Sequence, residues 1–184
     1  MTLPDPAAPL ILTLTLNPEA QQHFTHLRRL HFPPSRNYLE AHVTLFHHLP
    51  GAELAAVHHT LKELAATVPV LPLHLSGVRF LGNGVAYSLD SPPLLQLHRA
   101  LQSTWAEWLT PQDRQPLRPH ITVQNKVAPA VAKALHEQLQ RDFEPQVLQG
   151  TGITVWAYRG GPWQQLAQVP FTGAEYPAGA TYAP

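Results

Sequence analysis

Strict alternation comes first at Leu10-Ile11-Leu12-Thr13-Leu14-Thr15-Leu16, where leucine on every even position and threonine on later odd ones fit a strand with one buried face. It stops at Asn17-Pro18-Glu19, a capping residue, a first-turn proline and a first-turn acid, so a helix follows. Ala20, Phe24, Leu27 and Leu30 mark its apolar face, and Pro33-Pro34 ends it. His42 to Phe46 reads as the next strand. From Glu53 the residues Leu54, Val57, Leu61, Leu64 and Val68 step by three and four, a helix closed by Pro69, and Val70 to Leu81 is extended.

After the turn Gly82-Asn83-Gly84 the order of elements returns. Val85 to Leu89 is a strand, Ser91-Pro92 a cap and first-turn proline, and Leu94, Leu97, Leu101, Trp105 and Trp108 one helical face. His120 to Asn125 is a strand, and Ala128-Pro129 opens a helix with Val131, Leu135, Leu139 and Phe143 on one side. Gly152 to Tyr158 and Gln164 to Phe171 form a hairpin across Gly160-Gly161. The offsets are close to constant: 74 residues from Pro18 to Pro92, 78 from His42 to His120, 76 from Glu53 to Pro129. Matching order at matching offset predicts a duplicated α+β fold with two pseudo-symmetric lobes, each an antiparallel sheet with helices packed outside, facing across a cleft. The lobes correspond to residues 10–81 and 85–171 of one domain spanning 1–184. The ends, 1–9 and 172–184, are rich in Pro, Gly and Ala and read as irregular.

Composition narrows the chemistry. Twelve Lys and Arg balance twelve Asp and Glu, so no strong field favours coating a long polyanion or an anionic membrane. With no cysteine, disulfides, thiolate nucleophiles and Cys-held metals are excluded. No early segment is long or apolar enough to span a bilayer, which reads as a soluble, cytoplasmic protein without a membrane partner. What stands out is twelve histidines, the side chain whose ordinary pKa lies nearest neutrality.

Two of those histidines stand apart. His42-Val43-Thr44-Leu45 and His120-Ile121-Thr122-Val123 share the form His, aliphatic, Thr, aliphatic, at equivalent places in the two halves. On a strand the His and Thr project from one face, about 6.6 Å apart, while the aliphatics enter the core behind them. Two facing motifs would surround one phosphate-sized group. A neutral imidazole can take a proton from water while a protonated one gives a proton to a leaving oxygen, each role worth about 10²- to 10⁴-fold. Threonine hydroxyls can donate to the remaining phosphate oxygens.

On these motifs, with Phe46-His47-His48-Leu49-Pro50 after the first and Pro119 before the second, the sequence resembles the two-histidine (2H) phosphoesterase superfamily. That group contains the RNA 2′,3′-cyclic phosphodiesterases, historically called 2′-5′ RNA ligases. The resemblance implies a cofactor-free, metal-independent phosphoesterase that opens 2′,3′-cyclic phosphates, with reverse 2′-5′ ligation as a further activity. It implies His42 as proton donor, His120 as acceptor, and Thr44 and Thr122 on the phosphate; residues alone leave the donor and acceptor roles open. Where the family has a Phe-Leu-Gly-like turn this chain has Phe46-His47-His48-Leu49-Pro50, and where it has Ala-Arg there is Gln124-Asn125-Lys126, which bears on the substrate.

Continued alternation adds Gln124 and Phe46 to the cleft face, where Phe46 is either a stacking surface for a base or a core or rim aromatic. Arg36, Tyr38 and Arg118 precede the histidines at even offsets, and Lys126 follows the second motif; each is a candidate substrate contact. The partner is then an RNA end or a small cyclic-phosphate nucleotide, handled by a monomer. A non-catalytic nucleotide or RNA-end binding module with the same cleft is the alternative. A metal hydrolase built on the surplus histidines has no ligand spacing behind it: His136-Glu137 lacks a second histidine in register, and His47-His48 and His58-His59 read as solvated pairs.

Overall fold

The computed structural model describes residues 8–174, so most of both irregular ends lies outside the described residues. Seven strands and four helices follow in the order β1 (Leu10–Leu16), α1 (Pro18–His31), β2 (Val43–Leu49), α2 (Leu54–Ala65), β3 (Leu71–Phe80), β4 (Val85–Asp90), α3 (Pro92–Thr104), β5 (His120–Gln124), α4 (Pro129–Arg141), β6 (Val147–Ala157) and β7 (Gln164–Pro170). This is the mixed α/β class expected. Every strand pairing is antiparallel, in the order β2-β1-β6-β3-β4-β5, with β7 also on β6.

Strand pairing does not divide at the Gly82-Asn83-Gly84 turn. β3, from the first half, pairs with β4, while β6 and β7, from the second, extend the sheet from β1. β6 joins the two groups: its residues 147–150 pair with β3 and 150–157 with β1. The helices cross over too. α1 packs on β5, and from α3 the ring of His98 donates Nε2–H to the Leu45 carbonyl of β2 at 2.9 Å. β2 and β5, at opposite ends of the strand order, touch each other.

The core lies where the alternation puts it. Leu10, Leu12, Leu14 and Leu16 are buried, as are Val57, Leu61, Leu94, Leu97, Leu101 and Trp105. Ser91 caps α3 by accepting from Leu94 N–H. Asn17 opens α1 without a side-chain cap; its Oδ1 instead accepts from Gln149 N–H of β6 at 3.0 Å.

Two helical faces are rotated from the expected ones. On α1, Thr25 and Arg28 are buried beside Ala20 and Phe24, while Leu30 is 60% exposed. On α4, Ala132 takes the place expected for Val131, which faces out. In each case a polar or small residue fits a close approach that the apolar pattern does not encode. Among the described residues, no helix is long and apolar enough to cross a membrane.

Candidate active site

The two His-x-Thr motifs lie at β2 and β5, the strands that meet across the ends of the sheet, with His42 immediately before β2 and His120 opening β5. Their burial alternates identically: Val43, Leu45, Ile121 and Val123 are buried, whereas His42, Thr44, His120 and Thr122 keep partial access to solvent. The backing aliphatics are thus spent on the core and the polar pairs are left facing outward, as the pleat requires.

Both imidazoles are held in the same way. His42 Nδ1 lies 2.8 Å from the Glu40 carbonyl oxygen, and His120 Nδ1 lies 2.8 Å from that of Arg118, in each case two residues upstream. A carbonyl only accepts, so each Nδ1 carries the hydrogen and each Nε2 is left for chemistry. His42 also contacts the Trp163 ring, centroid to centroid 5.0 Å. Burial pushes its pKa down to about 4 against the upward pull of the Glu40 carbonyl, and the positive charges of Arg28, His120 and His47 add to the depression.

Arg28 ties β5 to the loop that leads into β2. From α1 its Nη1 donates to the Thr122 carbonyl at 2.8 Å, Nε to Leu39 O at 3.2 Å and Nη2 to Asn37 Oδ1 at 3.0 Å, while the guanidinium sits 4.3 Å from the Phe32 ring centroid. Burial lowers its pKa to about 10, which still leaves it charged at neutral pH.

Two cavities flank the histidines. The one bordering His42 has a volume of about 380 Å³ and an aromatic and amide lining that includes Tyr38, Trp156, Trp163 and Gln168. The one bordering Thr44 and His120, about 330 Å³, is lined by His47, Arg79 and Arg118 among others. At the back of the second lies Asp113. Its Oδ1 accepts from His47 N–H at 2.8 Å and from His47 Nδ1 at 2.9 Å, and its Oδ2 accepts from His48 N–H at 2.9 Å. Burial alone would raise the Asp113 pKa, but these donors outweigh it and hold the carboxyl below its ordinary range.

Of the candidate contacts, Tyr38 and Arg118 reach these cavities. Phe46 does not: it is fully buried, stacked on His98 with centroids 4.6 Å apart and edge-on to Trp105. The reason is a break in register. Thr44 pairs with Thr13 but Phe46 with Leu12, so β2 carries an extra residue there, and Leu45 and Phe46 both turn inward. β5 repeats the irregularity, with Thr122 on Ala86 but Gln124 on Val85, and Gln124 is buried with its Oε1 unpartnered. Arg36 and Lys126 are exposed and line neither cavity.

Trp163, Arg28 and the His47–Asp113 pair were not singled out by the sequence pattern. Only Arg28 had a local signal, its four-residue spacing from Phe24. Among the described residues, no three His, Asp or Glu side chains group as a metal site.

Solved structures show where this fold occurs. TT0787 of Thermus thermophilus superposes with a TM-score of 0.65 at 17% identity, covering 91% of this chain and all of that one. E. coli LigT complexed with 3′-AMP superposes at 0.58 with 23% identity, covering 90% of this chain and 98% of that one. A protein described as a phosphoesterase gives 0.54 at 24% identity, covering 90% and 99%. Comparison with curated protein sequences gives no match. The sequence model of the 2′-5′ RNA ligase superfamily matches residues 16–162, a span that takes in both His-x-Thr motifs. With four-fifths of its length inside that match, and with the fold found in LigT and TT0787, the chain belongs to the 2′-5′ RNA ligase superfamily, the 2H phosphoesterases.

Proposed function

We propose that the protein hydrolyses 2′,3′-cyclic phosphodiesters, at RNA ends or in small nucleotides, by metal-independent acid–base catalysis with His42 and His120. The observation that carries this reading is the pair of abutting His-x-Thr motifs, each imidazole pinned through Nδ1 with Nε2 left for the substrate. Water attacks phosphorus as one Nε2 takes its proton. The P–O bond to the ribose breaks, and the other Nε2–H delivers a proton to the departing oxygen, leaving a phosphomonoester and a free hydroxyl. Thr44 and Thr122 donate to the phosphate oxygens not being exchanged, where charge builds up.

The family resemblance assigns the donor role to His42 and the acceptor role to His120. With a pKa of about 4 in the free protein, His42 would then receive its proton together with the anionic substrate, whose charge opposes the effect of burial and of Arg28. The aromatic cavity beside His42 suits a nucleobase, which stacks on such rings with little regard to sequence.

The test is turnover of 2′,3′-cyclic nucleotides by purified protein in excess chelator. His42→Ala and His120→Ala are each expected to lose at least about a hundredfold in kcat, with the fold intact by circular dichroism. A substrate with a much better leaving group should rescue the donor variant and not the acceptor variant. Tight binding of cyclic nucleotides with no turnover would make the protein a nucleotide-binding module, and loss of activity in chelator would overturn metal independence.

A further inference from the structure

The cavity beside Thr44 and His120 differs in chemistry from its aromatic neighbour. The register break after Thr44 that buries Phe46 also re-aims the next residue: His47, not Phe46, returns to the side of the sheet that carries Thr44. Its ring is fixed by Asp113, a side chain 1% exposed, so that Nδ1–H is committed and Nε2 is left for the cavity. The carboxylate that fixes it stays ionised and accepts from two backbone N–H groups, the His47 ring and the Thr110 hydroxyl.

Arg79 reaches the same cavity by register. Arg79 pairs with Ala86 and Ala86 with Thr122, so the three side chains stand in one row on one face of the sheet. Two strand spacings, about 9.6 Å, separate Arg79 from Thr122, and the alanine between them leaves the way open. Arg118, two residues before His120, also lines the cavity. Among the described residues, neither arginine has a carboxylate within salt-bridge distance. Two guanidiniums without a salt-bridge partner therefore line one concave site next to the histidine pair, the donors that phosphate oxygens select, and His47 adds a third when its ring is protonated, with Nδ1–H on Asp113 and Nε2–H free for the cavity.

We propose that this cavity is a subsite for a second phosphate of the substrate, held by Arg79, Arg118 and His47 beside the phosphate that reacts. The proposal rests on the phosphoesterase reading and gives the substrate a polarity: nucleoside toward Trp163, extra phosphate toward Arg79. The second phosphate has two chemical sources, the 5′-phosphate of the same nucleotide or the phosphodiester linking it to a preceding one.

Calorimetric titration with unreactive ligands separates them. Adenosine 3′-phosphate sets the reference, adenosine 3′,5′-bisphosphate adds the first source, and a 3′-phosphorylated adenosine dinucleotide adds the second. One of the two-phosphate ligands is expected to bind on the order of tenfold or more tighter than the reference, given the strength of hydrogen bonds to charged groups. Arg79→Gln and Arg118→Gln should each erase most of that gain, and His47→Gln part of it. Equal affinity for all three ligands, or a gain that survives both arginine substitutions, would overturn the subsite. Failure to hydrolyse any cyclic phosphate while the gain persists would instead sink the hydrolase reading and leave the subsite standing.

Discussion

Replacing Arg28 by methionine tests the clamp between β5 and the loop that leads into β2. The change keeps most of the apolar stem and removes a guanidinium that serves three acceptors, the Thr122 and Leu39 carbonyls and Asn37 Oδ1. Each acceptor stranded away from water costs about 1–3 kcal/mol, and the contact with Phe32 adds roughly 0.5–1 kcal/mol. Against this, the native state no longer buries a charge. The depression of the Arg28 pKa from 12.5 to about 10 corresponds to roughly 3 kcal/mol returned on removing it. The balance is a loss of about 3 kcal/mol, or about 6–12 °C in Tm for a chain of this size. A second effect is local: Arg28 is one of the charges that hold His42 neutral, so the His42 titration, followed by NMR of the imidazole ring, should move up in Arg28→Met. Arg28→Lys separates the two, since it keeps the charge and cannot serve three acceptors at once. It should lower Tm while moving the titration less. A Tm within about 2 °C of the parent together with an unmoved His42 titration in Arg28→Met would refute the clamp.

Phe46→Ala is expected to cost about 3–5 kcal/mol, read by thermal or urea unfolding, because the ring is buried between His98 and Trp105; a stable variant with weakened substrate binding would return Phe46 to the substrate face. Stability should also rise with pH between about 4 and 6.5. His42 binds fewer protons folded than unfolded in that window, so its contribution is full above the unfolded value and lost as pH falls toward about 4. His98, pushed down by burial, acts in the same sense. The His42 share is at most about 3 kcal/mol. Tm measured between pH 4.5 and 7 should flatten in His42→Gln, and an unchanged slope would count against the depressed pKa.

Much of this architecture was legible because it depends on local periodicity. The leucines of β1, the stepped faces of α2 and α3 and the two His-x-Thr alternations each carry their own burial instruction. Legibility ended where position depends on a distant strand. Phe46 was expected among the site residues because alternation was carried past Thr44, and the extra residue in β2 shows only against the pairing with β1. Arg28 was unmarked because an arginine on a buried helical face makes sense only once the Thr122 carbonyl lies opposite it. Asp113 meets His47 across 66 positions of sequence, with no motif at either end. The halves themselves looked self-contained, since an exchange of strands between them leaves their internal order unchanged.

The central place of β6 bears on how the chain emerges from the ribosome. β1 finds β2 early, but its other edge pairs only with residues 150–157, made some 140 positions later. Until then Leu10–Leu16 is an apolar strand with one edge open, the arrangement that invites pairing with another chain. A nascent polypeptide halted anywhere before Gly150 should be sticky, however complete its first motif, and only the arrival of β6 seals it.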